Sequence, residues 1–250
     1  MIKEMGHFLL KRLGKKKLRP GGITATNWLL SQVTMNEDSK VLEVACNEAE
    51  TLINLSKKYN LNAVGVDINK KAIDNAKKTI EKENLSDKIK LYVGSALSLP
   101  FPDDSFDIVI NEAMLTMLPN ENKSKAVSEY FRVLKKGGVL LTHDVMLVKE
   151  NNALVEKLRK VINVPVTPLT KENWINLFSN QGFSDIISQD APMTLMSDKG
   201  MVIDEGEENA KKIQENAMKD KNKAQFLAMK KLFTTSDDSL HYIAIRSVKK

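Results

Sequence analysis

Cysteine is almost missing from this chain, which has one, Cys46, in 250 residues. A single thiol excludes an internal disulfide and any metal site built from several cysteines, so we expect no bound metal. We expect Cys46 to be a small buried residue rather than a reactive thiol. No run of eighteen apolar residues is present, and the start lacks the apolar core of a signal peptide. The sequence therefore predicts a soluble, cytoplasmic protein.

Net charge is close to zero outside residues 1–20. That segment holds seven lysines and arginines against one glutamate, a balance of +6 that equals the net charge of the whole chain. Its apolar residues recur near helical spacing, so weak contact with an anionic membrane surface or with RNA is one interpretation. The interpretation that we favour is a solvated helix packed over a crevice. No interleaved aromatic residues or second basic stripe supports nucleic-acid binding, and the oligomeric state cannot be read from the pattern.

Glycine is missing where a nucleotide-binding turn normally has it. Residues 41–49 read VLEVACNEA, an apolar run typical of a buried parallel strand, and a helix is predicted from Glu48 to Tyr59. The turn between them lies at a helix N-terminus, where free N–H groups favour a polar or anionic ligand. Asp67 ends the next predicted strand, 62–67, where a carboxylate can accept both hydroxyls of a ribose.

The composition of this turn separates two classes of ligand. A pyrophosphate needs close backbone approach and hence a G-x-G-x-x-G turn, whereas the corresponding positions here are Ala45, Asn47 and Ala49. Asn47 can adopt a positive φ, but two added Cβ atoms crowd a pyrophosphate. S-adenosylmethionine has no phosphate and is therefore favoured over a dinucleotide. An NAD-dependent oxidoreductase is the weakest of the functions considered.

Two later segments make a family resemblance specific. Residues 94–110 (GSALSLPFPDDSFDIVI) and 130–141 (YFRVLKKGGVLL) resemble the third and fourth motifs of class I S-adenosylmethionine-dependent methyltransferases. Within that superfamily the chain resembles the ubiquinone/menaquinone-type small-molecule branch, and residues 18–22 (LRPGG) are similar to a motif of some bacterial members. The likeness covers roughly residues 18–145. It implies an α/β, Rossmann-like fold with a seven-stranded, mostly parallel sheet, an antiparallel edge hairpin and a helical cap.

The resemblance also implies a methyl donor and its site. S-adenosylmethionine is the expected donor and S-adenosylhomocysteine the product. The implied cofactor-binding residues are Glu43, Ala45 and Asn47 for the methionine portion, Asp67 for the ribose, Ile68, Ser95 and Ala96 for the adenine, and Asn111 near the reacting methyl. The family usually has an acid at position 95. This serine and the missing glycines support one alternative, a non-catalytic binding protein that retains the fold.

The pattern of elements predicts one domain over residues 1–250. Residues 1–35 form basic and closing helices, 36–148 the cofactor-binding core, and 149–250 a C-terminal half with a helical insertion at 198–231 and the final strands. Strands are predicted at 40–45, 62–67, 89–93, 106–111, 138–145, 183–189 and 240–248. We expect Asn69 to be a helix N-cap and Gly137 to be the C-cap of the helix that ends near Leu134.

Three polar residues at predicted strand ends are candidates for catalysis. His143 can act as a general base oriented by the neighbouring Asp144, or it can be a hydrogen-bonded structural histidine; the sequence leaves both open. Glu112 is a further candidate base. We expect His7 and His241 to be structural. The motif NEAM at 111–114 differs from the Asn/Asp-Pro-Pro-Tyr/Phe of adenine and glutamine methyltransferases, so the predicted function is methyl transfer to a small organic acceptor.

Overall fold

The computed structural model describes residues 4–236 and 238–250, and one mixed sheet dominates this part of the chain. Its spatial order is β3-β2-β1-β4-β5-β8-β7, with β6 paired to β5 off this path. The strands are β1 (Lys40–Val44), β2 (Asn62–Asp67), β3 (Ile89–Val93), β4 (Phe106–Glu112), β5 (Leu134–Leu147), β6 (Leu169–Thr170), β7 (Phe183–Pro192) and β8 (Leu240–Lys249). Strands β1 to β5 are parallel, whereas β8 runs antiparallel to both β5 and β7. The predicted seven strands with an antiparallel edge are confirmed, and β6 is a two-residue addition.

Ten α-helices surround the sheet in the described residues. They are α1 (Gly6–Leu13), α2 (Gly22–Ser31), α3 (Glu50–Tyr59), α4 (Lys70–Lys82), α5 (Asn120–Val133), α6 (Asn152–Ile162), α7 (Lys171–Ser179), α8 (Asp198–Glu205), α9 (Glu207–Ala217) and α10 (Asp220–Thr234). A 3-10 turn covers Leu115–Met117. The predicted insertion is therefore three consecutive helices, α8 to α10. None of the helices in the described ranges has the length and apolar character needed to cross a bilayer.

Of the two helix ends predicted from local chemistry, one is confirmed. Asn69 caps α4 as predicted, because its side chain accepts hydrogen bonds from the backbone N–H groups of Lys71 and Ala72. The prediction for Gly137 was wrong. Helix α5 ends with Leu134 already in extended conformation, and Gly137, at φ 78°, lies inside β5. The β4–β5 register shifts between Phe106 and Ile108 at this point, so the glycine permits an irregular strand start rather than a helix end.

Two apolar layers cover the faces of the sheet, and a third apolar cluster fills the cap. The cap cluster joins α1 to α6, α9 and α10 through buried residues such as Leu9, Leu13, Ile213, Phe226 and Met229. Amphipathic spacing in α1 therefore serves internal packing. Because of this packing, the N-terminal helix and the C-terminal insertion lie together over the carboxyl ends of the parallel strands.

Candidate active site

The turn after β1 has the backbone of a glycine turn without the glycines. Ala45, Asn47 and Ala49 all have positive φ values, 61°, 47° and 58°. A left-handed conformation costs a residue with a Cβ atom about 1–2 kcal/mol, so the surrounding structure must impose it. Ala49 is fully buried, and its methyl group packs in the core rather than in the crevice. The expected positive φ of Asn47 is confirmed, and helix α3 begins at Glu50, two residues later than predicted.

Asp67 holds this turn against the end of β2. Its Oδ2 accepts a hydrogen bond from the Asn47 N–H at 2.8 Å, and its Oδ1 accepts one from the Asn69 N–H, also at 2.8 Å. Each carboxylate oxygen has a second lone pair, which leaves acceptor capacity for ligand hydroxyls. Next to it, the Ile68 side chain is 78% exposed, an unusual state for a large apolar residue beside a crevice.

Two buried acceptors at the ends of β1 and β4 lack protein partners among the described residues. Glu43 is 5% exposed and its Oε2 has no hydrogen bond; burial raises the pKa of this carboxyl to about 8. Asn111 is fully buried and pairs in register with Val44, whose carbonyl accepts from its Nδ2 at 3.3 Å. Its Oδ1 is unpaired. Buried polar atoms are normally satisfied, so these two fit a ligand that brings donors, as the ammonium of a methionine portion does.

Ser95 and Ala96 lie in the loop after β3, next to the end of β2. The Gly94 N–H donates to the Asp67 carbonyl at 3.0 Å, which ties this loop to the end of β2. Ser95 Oγ accepts a hydrogen bond from the Leu97 N–H at 3.2 Å, so this side chain stabilises the conformation of its own loop. The structure thus joins this loop to the main chain of Asp67, and the loop carries a short hydroxyl at the position where the resemblance implies an acid.

His143 is fully buried, and both of its ring nitrogens have partners. Nε2 accepts from the Gly21 N–H at 2.9 Å, and Nδ1 lies 3.0 Å from Glu112 Oε1, which fixes the neutral ring with its proton on Nδ1. Of the two interpretations left open by the sequence, the hydrogen-bonded structural histidine matches this geometry. The carboxylate that orients the ring is Glu112 and not Asp144, because successive strand residues point to opposite faces.

Glu112 and Arg19 form the charged part of this network. The Arg19 guanidinium lies 3.0 Å from Glu112 Oε2 and also donates to the hydroxyls of Thr26 and Thr51. Burial alone would raise the pKa of Glu112, but the charge of Arg19 and the hydrogen bond to His143 outweigh it and lower the pKa to about 2. Glu112 is therefore ionised and paired, which makes it a weak base at neutral pH.

Other cations of the basic segment are also paired within the protein. Lys11 Nζ lies 2.8 Å from Glu48 in the turn after β1, and Lys15, fully buried, lies 3.2 Å from Asp204 of α8. Lys17 pairs with Glu50 at 3.1 Å. The favoured interpretation of this segment, a helix packed over a crevice, matches the arrangement from residue 4 onward. Lys3, which belongs to the same prediction, lies outside the described residues.

Cys46 is buried beneath the turn, as expected. Burial raises the pKa of its thiol, so the thiolate is disfavoured. A Cβ atom added at Gly65 of β2 would meet Cys46 Sγ at 2.8 Å, so the neighbouring strand needs glycine there. The thiol therefore packs between β2 and the turn.

An apolar cavity of about 90 Å³ opens beyond the ends of β4 and β5. Residues from the sheet end, the N-terminal segment, α6 and the insertion line it, among them Ala113, Thr116, Asp144, Leu10, Pro20, Ile162, Met193 and Met229. Asp144 is the one candidate catalytic residue of the three that reaches it. Its carboxylate accepts from the N–H groups of Val145 at 2.8 Å and Thr116 at 3.1 Å, and burial raises its pKa.

His7 also lines this cavity, which the sequence did not indicate. It was expected to be structural, yet its Nδ1 is buried without a hydrogen-bond partner among the described residues. Burial lowers the pKa of its ring. The signal that could have found it is the helical spacing of α1, which places His7 one turn before Leu10 and Lys11, on the side of the helix that faces the site.

Comparisons with known proteins find methyltransferases. A family profile described as a methyltransferase domain matches residues 41–138. The chain is 51% identical to an uncharacterized protein of Haemophilus influenzae over 98% of both chains. It is 27% identical to the phosphoethanolamine N-methyltransferase of Plasmodium falciparum over 71% of this chain and 65% of that one. A phosphoethanolamine N-methyltransferase 2 of Haemonchus contortus has the same fold, with a TM-score of 0.78 at 18% identity over 98% of this chain and 57% of that chain.

The fold matches the Rossmann-like fold of methyltransferase structures, and the left-handed turn and the carboxylate at the end of β2 lie at the carboxyl edge of its sheet. Residues 41–138 are a methyltransferase domain, and this domain, together with the methyltransferases that the chain resembles, supports S-adenosylmethionine-dependent methyltransferase activity. The chain spans nearly all of the Haemophilus protein but slightly less than two thirds of the Plasmodium enzyme, so the acceptor does not follow from these relatives.

Proposed function

We propose that this enzyme methylates a small organic molecule that occupies the apolar cavity beyond β4 and β5. The observation that carries the proposal is the position of the cavity: Ala113, which lines it, lies two residues after Asn111, at the edge of the donor site. Methyl transfer is an in-line displacement, so a donor site and an acceptor cavity that meet at one edge supply the required alignment.

For the donor we propose the residues that the turn, β2 and the following loop bring together. Glu43, Ala45 and Asn47 would hold the methionine portion and Asp67 the ribose. Ile68, Ser95 and Ala96 would border the adenine, and Asn111 would lie near the methyl group. The unpaired oxygens of Glu43 and Asn111 support this assignment, as does the exposed side chain of Ile68.

For the three candidate catalytic residues the geometry supports different roles. We propose that His143 and Glu112 are positioning residues, since they join Gly21 and Arg19, which directly precede α2, to β5 and β4. Asp144 remains the candidate acid or base at the acceptor, because it alone of the three lines the cavity. A quinone-type acceptor ring is one candidate within this class. It is supported by 33% identity to the ubiquinone/menaquinone biosynthesis C-methyltransferase UbiE of Rickettsia bellii over 53% of this chain and 54% of that one.

Calorimetric titration tests the donor site. We expect S-adenosylmethionine and S-adenosylhomocysteine to bind, and NAD not to bind. Asp67→Asn should weaken binding of S-adenosylmethionine and of S-adenosylhomocysteine by roughly tenfold. The reason is that a charge-assisted hydrogen bond contributes about 1 kcal/mol or more beyond a neutral one to the free energy of binding. The matched control is Asp74→Asn, an exposed acid on α4 that pairs with Lys70. Equal affinities for wild type and Asp67→Asn would refute the ribose assignment.

An acceptor screen tests the reaction. The purified enzyme is supplied with S-adenosylmethionine and panels of small hydroxyl, amine, thiol and activated-carbon compounds, and release of S-adenosylhomocysteine is measured. We expect turnover with apolar members of the panel. A bulky substitution in the cavity, Ala113→Leu, should suppress turnover while leaving donor affinity within about twofold. Turnover that survives Ala113→Leu would place the acceptor elsewhere.

A further inference from the structure

The cavity offers very few polar groups to an acceptor. Among the side chains that line it, only His7, Thr116 and Asp144 are polar, and the remaining lining residues are aliphatic, aromatic, methionine, proline or glycine. No lysine or arginine is among the lining residues in the described part of the chain. An anionic group placed there would lose its hydration without gaining a cation, which is strongly unfavourable.

Two of the three polar side chains are already used by the protein. Asp144 accepts from two backbone N–H groups, and the Thr116 hydroxyl donates to the Val145 carbonyl at 3.5 Å. His7 Nδ1 is different, because it is shielded from solvent and has no hydrogen-bond partner among the described residues. Leaving such an atom buried without a partner costs about 1–3 kcal/mol of desolvation free energy. A ligand that forms a hydrogen bond with His7 Nδ1 would remove this cost.

The surroundings of His7 also define its charge state. Burial lowers the pKa of the ring, and Asp144 is the one other titratable side chain that lines the cavity. His7 is therefore neutral at neutral pH, with one ring nitrogen that donates and one that accepts. A neutral imidazole in an apolar cavity selects a neutral partner with a single hydrogen-bonding group.

We propose that His7 determines acceptor specificity by forming the hydrogen bond to the one polar group of an uncharged, mostly apolar acceptor, a hydroxyl or an amino group. This inference rests on the proposed function, because it takes the cavity to be the acceptor site. It separates the enzyme from a phosphoethanolamine methyltransferase of the kind that the Plasmodium relative is, since a phosphate would find no cation here. The cavity volume of about 90 Å³ is below the roughly 150 Å³ of an apolar cavity that binds benzene, so the cavity admits only a small molecule or the end of a larger one.

Three probes that share a benzene ring test the inference by NMR in the presence of S-adenosylhomocysteine. Phenol carries a hydroxyl, toluene carries none, and phenyl phosphate carries an anion. The chain has three histidines, so the ring Cε1–H signals of His7, His143 and His241 can be assigned by single substitutions. We expect phenol to shift the His7 signal saturably and to bind roughly three- to tenfold more tightly than toluene, the ratio expected of one hydrogen bond. Phenyl phosphate should not compete with phenol.

Two variants make the result specific to His7. His7→Phe keeps a ring and should abolish the difference between phenol and toluene, and His7→Gln, which keeps a hydrogen-bonding group, should retain part of it. His241→Gln is the matched control on β8, where His241 Nδ1 lies 3.1 Å from Asp190, and it should behave as wild type. Equal binding of phenol and toluene to the wild type, an unmoved His7 signal, or competition by phenyl phosphate would overturn the inference.

The outcomes also separate this inference from the proposed function. If S-adenosylhomocysteine binds and phenol contacts the cavity without moving His7, the proposed function stands and the role of His7 fails. If toluene and phenol both fail to perturb any cavity residue, the cavity is not an acceptor site and both fail. If His7→Phe unfolds the protein, the His7→Gln comparison and the wild-type probe series still decide the question.

Discussion

Binding of the methyl donor should release a proton from Glu43. Burial raises the pKa of this carboxyl to about 8, so at pH 7 only about a tenth of the unliganded protein carries it ionised. The ammonium of the methionine portion would pair with the ionised form and leave it charged in the complex. Binding at pH 7 should then release about 0.9 proton and incur about 1.4 kcal/mol for ionisation, a factor of ten in affinity.

Calorimetry in buffers of different ionisation enthalpy measures this proton directly. S-adenosylhomocysteine is a suitable titrant, because it carries the same amino-acid portion and no reactive methyl. Its dissociation constant should fall roughly tenfold between pH 6 and pH 7 and change little above about pH 8.5. Glu43→Gln, which cannot ionise, should show neither the proton release nor the pH dependence. A binding enthalpy that is independent of the buffer in the wild type would refute the reasoning, as would proton uptake.

Three further predictions concern the framework of the site. Ala45→Gly should raise the free energy of unfolding by roughly 0.5–1 kcal/mol in chemical denaturation, because glycine avoids a left-handed strain of about 1–2 kcal/mol and loses part of that gain to its greater unfolded entropy; a destabilised variant would contradict the φ of 61°. Lys15→Met should lower the free energy of unfolding by about 3 kcal/mol in the same assay, because it leaves Asp204 buried without its cation. The control, Arg12→Met at an exposed ion pair, should lower it by less than about 1 kcal/mol. Equal losses in the two variants would show that Lys15 is not buried. Cys46 should react with a thiol reagent at a useful rate only after denaturant is added, and rapid labelling of the folded protein would contradict its burial.

The sheet could be predicted from the sequence because each central strand is marked by local apolar residues and each turn by local chemistry. Asn69 is an example, since a helix cap depends on residues two and three positions away. Gly137 shows the limit of such reasoning, because a glycine after a helix is a common C-cap. Here Leu134, three residues earlier, already pairs with β4, so the chain is a strand before it reaches the glycine. A long-range contact, invisible in the local pattern, decided the outcome.

The candidate site likewise contains residues that local sequence reasoning could place and residues that it could not. Asn47 and Asp67 were predictable as neighbours, because parallel strands end at one edge and the two residues follow consecutive strands. His7 was not, because its cavity is assembled from segments at both ends of the chain. The partner of Lys15 could not be predicted either, since Asp204 is 189 residues away and its carboxylate resembles any other acid in a charged helix.

The alternating left-handed residues of the turn after β1 bear on how such proteins are recognised. A glycine fingerprint describes which side chains are absent, whereas a ligand without a phosphate depends mainly on the course of the main chain and the direction of its N–H groups. Here that course is reproduced by two alanines and an asparagine. A pattern search that demands glycine would pass over this chain, and over any other in which packing beneath the turn imposes the same torsion angles. For recognising this turn, the sign of φ at alternate positions is a better criterion than the amino-acid type at each position.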